Sequence, residues 1–146
     1  MQFRSKTFGE LSTTELYEIV RARTEIFLME QKIICRDFDG IDYESLHCFI
    51  EDEGKVVAYL RAFRKGNSSD VAVIGRVLSL THNVGLGKRL MTESIPEIQK
   101  HFNCKKISLH SQIHAKGFYE KLSFCVTSDE FLEEGIVHVE MELDLT

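Results

Sequence analysis

The chain has 146 residues, of which 43% are hydrophobic and 28% charged, a composition typical of one globular domain that buries a core without disulfides. Its net charge of −5 argues against nucleic acid as a partner, because phosphate backbones are bound by basic surfaces. No stretch approaches the ~20 apolar residues of a membrane span, and the first residues lack the apolar segment of a secretion signal. We therefore expect one cytoplasmic domain over residues 1–146, with no membrane partner.

The four cysteines are scattered along the chain without a C-x-x-C pair. Reduced thiols are the expected state of such cysteines in a cytoplasmic protein. His101 and Cys104 are close in sequence, but two ligands do not make a zinc site. The sequence thus predicts no metal.

The N-terminal part predicts a strand, a helix and a loop. Residues 1–9 form a short strand or arm. Ser12 and Glu15 have capping-box spacing, and apolar residues then recur at helical spacing to about residue 29. Residues 35–45, here called the acidic loop, carry four carboxylates. The acidic loop is either a solvated loop or the rim of a site for a cationic substrate.

The middle of the chain predicts three strands and a glycine turn. Residues 46–52 and 55–64 alternate as a hairpin of half-buried strands, and an apolar run over residues 71–80 predicts a buried central strand. Gly85 and Gly87 follow, and the apolar positions then take helical spacing as far as Phe102.

A strand, a glycine turn and a helix in succession create a candidate anion site. The first N–H groups of a helix lack intrahelical partners and lie at the positive end of its dipole, which suits phosphate. Glycine lets an anion approach the backbone closely. The turn is not a Walker loop, because Lys88 is followed by Arg89 rather than Ser or Thr. A plain turn without a ligand is the alternative interpretation.

The C-terminal part predicts a strand over residues 106–111, a short helix over 115–122 and a strand over 124–127. Residues 136–145 alternate cleanly, with Val137 and Val139 on the apolar face and His138 and Glu140 on the polar face. The order of elements predicts a mixed α/β (α+β) sheet with helices packed on its faces.

Several segments together resemble the GNAT superfamily of N-acetyltransferases, and within it the ElaA-like branch. These segments are Arg23–Gln31 (R-T-E-I-F-L-M-E-Q), Asp39–Asp42 with His47, Ile74–Val77 with Gly85-Leu86-Gly87, Phe118–Phe124, and Gly135–His138. The resemblance spans nearly the whole chain. It implies a mostly antiparallel central sheet with a splayed parallel strand pair and helices on both faces.

The resemblance also implies that acetyl-CoA is the co-substrate and binds in the splayed strand pair. Its pyrophosphate would lie on the N–H groups of residues 84–88, and its pantetheine would pair with the backbone of residues 77–80. The implied coenzyme contacts are Val77, Leu78, Leu80, Asn83, Val84, Gly85, Leu86, Gly87, Lys88 and Phe118.

The implied reaction is direct attack of a primary amine of a small molecule or peptide on the thioester. Tyr119 matches the family tyrosine beside the coenzyme sulfur, where its phenol can donate to the leaving thiolate. A lysine-like amine is mostly protonated at neutral pH, so a base is expected. Glu30 and His138 are the candidate bases; His110 is also a candidate proton acceptor. Each of these residues has a structural alternative as a surface charge or a satisfied core group.

Further residues are predicted to contact the acceptor: Gln31, Asp39, Asp42, His47, Arg61, Arg76, His110 and Gln112. Arg61 and Arg76 can bind a substrate carboxylate or pair with the acidic loop. The acidic loop favours a cationic acceptor. Exposed strand faces are compatible with a homodimer.

Three departures from the family pattern predict weaker coenzyme binding. His82-Asn83 replaces the usual Arg-Gly, the preceding loop is about two residues short, and Ser123 replaces a glycine. A non-catalytic acyl-CoA-binding module is therefore the alternative function, and a structural relative without coenzyme is a third.

Overall fold

The fold is organised on an eight-stranded sheet, seen in a computed structural model that describes residues 1–67, 70–80 and 85–146. The strands are β1 (Gln2–Thr7), β2 (Leu46–Asp52), β3 (Lys55–Arg64), β4 (Val71–Ser79), β5 (Lys106–Gln112), β6 (Cys125–Val126), β7 (Phe131–Glu133) and β8 (Ile136–Asp144). Their order is β1-β2-β3-β4-β5-β8-β6, and β7 also pairs with β8.

One strand pair in this sheet is parallel. β4 and β5 pair through Val71–Ile74 against Lys106–Leu109, and along the rest of the described strands no further pairing joins them. Every other strand pair is antiparallel. The sheet is thus mostly antiparallel and opens between β4 and β5, as predicted.

The sequence predicts the start of the first helix but not the π-helix that follows it. In α1 (Thr13–Arg23), the Ser12 Oγ accepts the Glu15 N–H at 3.0 Å and the Glu15 carboxylate accepts the Ser12 N–H at 2.8 Å, which confirms the capping box. The chain continues as a π-helix over Thr24–Glu30. Such widened turns are rare and frequently occur at functional sites.

The other helices are α2 (Leu86–Phe102) and the short α3 (Lys116–Glu120), and 3-10 turns span Phe8–Glu10, Ile41–Glu44 and Ile113–Ala115. Within the described ranges, no helix combines the length and the apolarity needed to cross a bilayer.

The two longer helices pack on opposite faces of the sheet. Ile19 and Ala22 of α1 pack with Phe49 and Tyr59 in one apolar cluster. α2 buries Leu90, Met91 and Ile98 in the larger cluster on the other face. The alternation of the strands separates the two clusters, since Cys48 and Ile50 flank Phe49 in sequence but face α2.

The C-terminal strands differ from the prediction in two respects. β7 was not predicted, because three residues are too few to show an alternation. It lies beside the start of β8, with Phe131 opposite His138. His138 is consequently only 6% exposed, whereas Val137 on the predicted buried face is 40% exposed. The predicted burial pattern is therefore wrong at this end of β8 and correct for Val139 and Met141.

Candidate functional site

A cleft of about 420 Å³ opens where β4 and β5 separate. Its walls come from β3, β4, β5, the π-helix, the acidic loop, the β7–β8 hairpin and α3. Of the residues predicted to act in catalysis or substrate binding, it is lined by Gln31, Arg61, Arg76, His110, Gln112, Tyr119 and His138. The fold thus brings together residues that are up to 107 positions apart in sequence.

Tyr119 lies on α3 and lines the cleft with 7% of its surface exposed. Its ring makes edge contacts with Phe118 and Phe124, at centroid distances of 5.1 and 5.8 Å. Burial raises the pKa of Tyr119 to about 12, because the phenolate would lose its hydration. Tyr119 therefore keeps its proton at neutral pH and can act as a hydrogen-bond donor.

A capping motif at the end of α3 holds Tyr119 in place. The Phe124 N–H donates to the Tyr119 carbonyl at 3.1 Å, and the Ser123 N–H donates to the Glu120 carbonyl at 3.0 Å. These are the two bonds of a Schellman motif. Ser123 occupies its left-handed position with φ +75°, where a glycine is usual. The departure of Ser123 from the family pattern thus falls on a residue whose backbone favours glycine.

The described end of the glycine turn starts α2 with a left-handed glycine. Gly85 caps α2 with φ +74°, and the Arg89 N–H makes a helical bond to the Gly85 carbonyl at 3.0 Å. The N–H groups of Leu86, Gly87 and Lys88 precede that bond, at the helix end where N–H groups lack intrahelical partners. Asn83 and Val84, which were also predicted to bind coenzyme, lie outside the described residues, as does His82.

Phe118 packs beside this helix end. A Cβ added at Gly87 would lie 3.4 Å from the Phe118 Cζ, so a side chain there would fill the space between helix and ring. The predicted coenzyme residues Phe118 and Gly87 are therefore neighbours, one residue away from Tyr119.

β4 carries a bulge where it faces the cleft. Gly75 pairs with Arg61 and Leu78 pairs with Tyr59, so Arg76 and Val77 together oppose a single residue of β3. Arg76 has φ +55°, the left-handed geometry of a bulge residue. Both Arg76 and Val77 line the cleft. The bulge thus lies at the part of β4 where Arg76 and Val77 face the cleft.

Two of the predicted coenzyme contacts, Leu78 on β4 and Leu80 directly after it, already pair with β3. The Leu80 N–H donates to the Val57 carbonyl at 2.8 Å. Leu78 pairs with Tyr59 of β3, and its side chain is buried. The Leu80 N–H is therefore not available to a pantetheine in this structure, which corrects that part of the prediction.

The acidic loop is fastened to the sheet by arginines. Asp42 Oδ1 accepts from Arg23 at 2.7 Å and from Arg61 at 3.1 Å. Arg61 also donates to both carboxylate oxygens of Asp39, at 2.9 and 2.6 Å. Arg76 donates to Asp37 at 2.8 Å. The predicted alternative in which Arg61 and Arg76 pair with the loop is the observed one.

Because of these ion pairs, the carboxylates of the acidic loop are not a reason to expect a cationic acceptor. Asp39 and Asp42 were predicted to face a substrate, but both carboxylates are neutralised by arginines that are themselves buried. Arg61 is 3% exposed and Arg23 is 2% exposed. The acidic loop therefore supplies structure at the cleft, and neither Asp39 nor Asp42 lies in its described lining.

His47 is a core residue in this structure, which corrects its prediction as a substrate contact. It is 1% exposed, its Nε2 lies 2.9 Å from the Asp42 carbonyl and its Nδ1 lies 2.7 Å from the Tyr59 hydroxyl. Because a carbonyl only accepts, Nε2 carries the proton and the Tyr59 hydroxyl donates to Nδ1. Burial lowers the pKa of His47, so the ring stays neutral.

His110 and His138 lie on neighbouring strands and share a carboxylate that the sequence did not indicate. Glu133 Oε1 lies 2.8 Å from His110 Nδ1, and Glu133 Oε2 lies 3.6 Å from His138 Nε2. Phe131 contacts both rings, at centroid distances of 5.0 and 6.0 Å. The turn signal Glu134-Gly135 before the alternating strand could have revealed this hairpin.

Gln31 and Gln112 meet across the cleft. Gln112 Nε2 donates to Gln31 Oε1 at 3.2 Å, which joins the end of the π-helix to the end of β5. Glu30, the neighbour of Gln31, is exposed, and the described lining of the cleft does not include it. The structure thus brings His138 to the cleft but not Glu30. In the described part of the chain, His, Cys, Asp and Glu side chains form no group that could hold a metal ion.

A mostly antiparallel sheet opened by one splayed parallel pair, with a glycine-capped helix beside the opening, is the fold of acyl-CoA N-acyltransferases. A crystal structure of an acyl-CoA N-acyltransferase from Pseudomonas aeruginosa superposes with a TM-score of 0.89 at 29% identity, over 97% of this chain and 99% of that one. Escherichia coli ElaA superposes with a TM-score of 0.89 at 26% identity, over 97% of each chain.

The sequence comparisons identify the family directly. The model of the acetyltransferase (GNAT) domain matches residues 27–145. A UPF0039 protein of Schizosaccharomyces pombe is 35% identical over 99% of this chain and 98% of its own length. The chain belongs to the GNAT acetyltransferase family, in the branch that includes ElaA. Membership in this family supports acyl transfer from coenzyme A.

Proposed function

We propose that this protein transfers an acetyl group from acetyl-CoA to a primary amine of a small molecule or peptide by direct attack on the thioester. The observation that carries the proposal is the position of Tyr119, a protonated phenol in the cleft at the opening of the sheet, one residue from the Phe118 ring that packs against the start of α2. Acetyl-CoA would supply the activated acetyl group and a thiolate leaving group.

The residues at the start of α2 fit a diphosphate. The N–H groups of Leu86, Gly87 and Lys88 lie at the positive end of a 17-residue helix. Gly85 provides the left-handed turn, and Gly87 leaves the space beside Phe118 open. The unpaired edge of β4 at Val77 is the proposed position for pantetheine.

The acceptor would enter from the side of the π-helix and the β7–β8 hairpin. We propose His138 rather than Glu30 as the proton acceptor, because only His138 lines the described cleft. Of the three carboxylates that line the described cleft, Asp37 is paired with Arg76, so the negative charge that supports a cationic acceptor is that of Glu133 and Glu134.

In the proposed reaction, the attacking amine nitrogen forms a bond to the acetyl carbonyl carbon as the carbon–sulfur bond breaks. The acceptor enters as an ammonium and gives one proton to His138 before it attacks. The second N–H proton is lost as the amide forms and ends on the leaving thiolate, which the Tyr119 hydroxyl stabilises until then. The pKa of Tyr119 lies well above that of an ordinary thiol, so Tyr119 acts as a hydrogen-bond donor and need not give up its proton.

The test is release of coenzyme A from acetyl-CoA in the presence of polyamine, aminoglycoside, amino-acid and peptide amines. Turnover above the amine-free rate is expected for at least one class. Tight acetyl-CoA binding without turnover would favour the non-catalytic binding module. A melting temperature unchanged by acetyl-CoA would favour a relative without coenzyme. A homodimer stays a prediction, which light scattering on the full chain checks.

A further inference from the structure

We propose that Glu133 is the positioning residue for His138, whose positive charge it stabilises after proton transfer. This inference rests on the proposed function. The geometry is a carboxylate placed between two imidazoles, 2.8 Å from His110 Nδ1 and 3.6 Å from His138 Nε2. All three side chains line the cleft that holds Tyr119.

A tight turn places Glu133 at this point. Glu134 and Gly135 have φ values of +50° and +75°, the pattern of a two-residue type I′ hairpin turn. The register sets Phe131 opposite His138 and Glu133 opposite Ile136. Because side chains alternate along a strand, Phe131 and Glu133 share the cleft face while Leu132 points away and is exposed.

The hydrogen bonds fix which nitrogen of His138 can take a proton. His138 Nδ1 lies 2.7 Å from the Ile136 carbonyl, which can only accept, so Nδ1 carries the proton. In the neutral ring, Nε2 therefore has the free lone pair, and this is the nitrogen nearest Glu133. A proton arriving at Nε2 creates an imidazolium beside a carboxylate.

His110 completes the arrangement from the other side. In the neutral ring its Nδ1–H donates to Glu133 Oε1, which holds the carboxylate in place and leaves the other oxygen directed to His138. The ring plane of Phe131 lies at 23° to that of His138 and at 76° to that of His110. The carboxylate and the aromatic ring together restrict both imidazoles.

The proton balance of the step is simple. The N–H bond of the acceptor ammonium breaks, an Nε2–H bond forms on His138, and the unit of positive charge moves from substrate to imidazole. Glu133 is the negatively charged residue that lies beside His138 Nε2, at 3.6 Å. The other titratable or charged residues that line the cleft are Cys35, Asp37, Arg61, Arg76, His110, His114, Tyr119 and Glu134, and Glu140 faces His110 from β8 at 3.9 Å.

The experiment compares Glu133→Gln, Glu133→Asp and the control Glu130→Gln in the full chain. Gln keeps the size of Glu133 and one acceptor oxygen but removes its charge. Asp keeps the charge on a shorter side chain. Glu130 is an exposed carboxylate one residue before β7 and outside the described cleft lining, so its variant removes the same charge without touching the site.

For Glu133→Gln we expect kcat to fall roughly 10- to 100-fold, part of the effect of a whole proton-transfer group, with the acetyl-CoA melting shift retained. The loss should fall on kcat and leave the KM for the amine within about two-fold of wild type, because the carboxylate acts on the imidazolium that forms during proton transfer. Glu133→Asp, which keeps the charge, should restore part of kcat. Glu130→Gln should match wild type in both kcat and KM.

Two results would overturn the inference, and they are distinguishable. If wild type turns over and Glu133→Gln keeps the kcat of wild type, Glu133 has no part in proton transfer. If wild type turns over no amine at all, the proposed function fails and this inference fails with it.

Discussion

Arg61 and Asp39 form a two-pronged ion pair, with Nη1–Oδ1 and Nη2–Oδ2 distances of 2.9 and 2.6 Å. The pair joins the middle of β3 to the acidic loop, across 22 positions of sequence. Arg61 is 3% exposed, and a buried guanidinium is tolerated only when its charge is paired. The acidic loop, which the sequence indicated as a possible rim of a substrate site, is thus attached to β3 by this ion pair.

Replacing Asp39 should test this attachment. Asp39→Asn leaves the buried Arg61 with one carboxylate partner fewer, and we expect a loss of roughly 3 kcal/mol in the free energy of unfolding at pH 7. Urea denaturation measures it. Asp129→Asn, an exposed control, should change the same quantity by less than about 0.5 kcal/mol. A loss as small as the control's would show that the ion pair is not structural.

The same pair predicts a pH dependence. Hydrogen bonds from Arg61 are the main cause that lowers the pKa of Asp39 from 3.8 to about 2. A depressed pKa means that the stabilisation is fully present above pH 3.8 and is lost as the pH falls through 2. The difference in unfolding free energy between wild type and Asp39→Asn should therefore shrink from pH 4 to pH 2. A constant difference across that range would contradict the assignment.

Tyr119→Phe should separate chemistry from binding. Removing the hydroxyl takes away the donor to the leaving thiolate, and the loss of one such donor costs about 10²-fold in kcat in other enzymes. The phenyl ring keeps its contacts with Phe118 and Phe124, so acetyl-CoA affinity should stay within about two-fold of wild type. Thiol release and isothermal titration measure the two quantities. Tyr17→Phe, at a tyrosine that is 70% exposed, is the matched control.

The identity of the base is decided by two parallel substitutions. His138→Gln should lower kcat by at least roughly 10²-fold, the usual contribution of a general base. Glu30→Gln should leave kcat within about three-fold of wild type, because the described cleft lining excludes Glu30. The reverse ranking of the two variants would return the role to Glu30.

The glycine turn can be tested without a known acceptor. Gly85→Ala places a Cβ at φ +74° and should cost about 1 to 2 kcal/mol of stability. Gly87→Ala lies in a helical conformation and should not lower stability. Its methyl group instead reaches toward Phe118 and should weaken the melting shift with acetyl-CoA. Equal shifts for wild type and Gly87→Ala would remove the case for close backbone approach at this residue.

Ser123→Gly restores the residue type that the capping position favours. A left-handed conformation costs a non-glycine residue about 1 kcal/mol, part of which is offset by the greater freedom of glycine in the unfolded chain. We expect a gain of about 0.5 to 1 kcal/mol, or a melting temperature roughly 2 °C higher. Ser128→Gly, at a serine outside such a turn, is the control and should not gain stability. A decrease for Ser123→Gly would mean that the serine side chain stabilises the cap.

Local patterns were sufficient for most of the fold. Alternation gave β2 and β3 with the observed bounds. The prediction that these strands are half-buried is wrong, because α1 and α2 cover opposite faces of the sheet and both faces of each strand are buried. The apolar spacing from Leu86 to Phe102 gave α2, and the spacing of Ser12 and Glu15 gave the start of α1. Each of these features is determined within a few turns or one hairpin of chain. The resemblance to GNAT proteins added the splayed strand pair, which periodicity alone did not indicate.

The site depended on contacts that no local pattern contains. Whether Arg61 and Arg76 face a substrate or the acidic loop was open in the sequence, since both outcomes use the same charges. His47 and His138 also have the same type of strand position, yet one is locked in the core by Tyr59 and the other lines the cleft. The sequence by itself determined the family and most of the elements, whereas β7 and the π-helix were found only in the structure. Only the tertiary structure decided which charged side chains pair with each other. Ion pairs and hydrogen bonds depend on the distance between atoms in space and not on their separation along the chain.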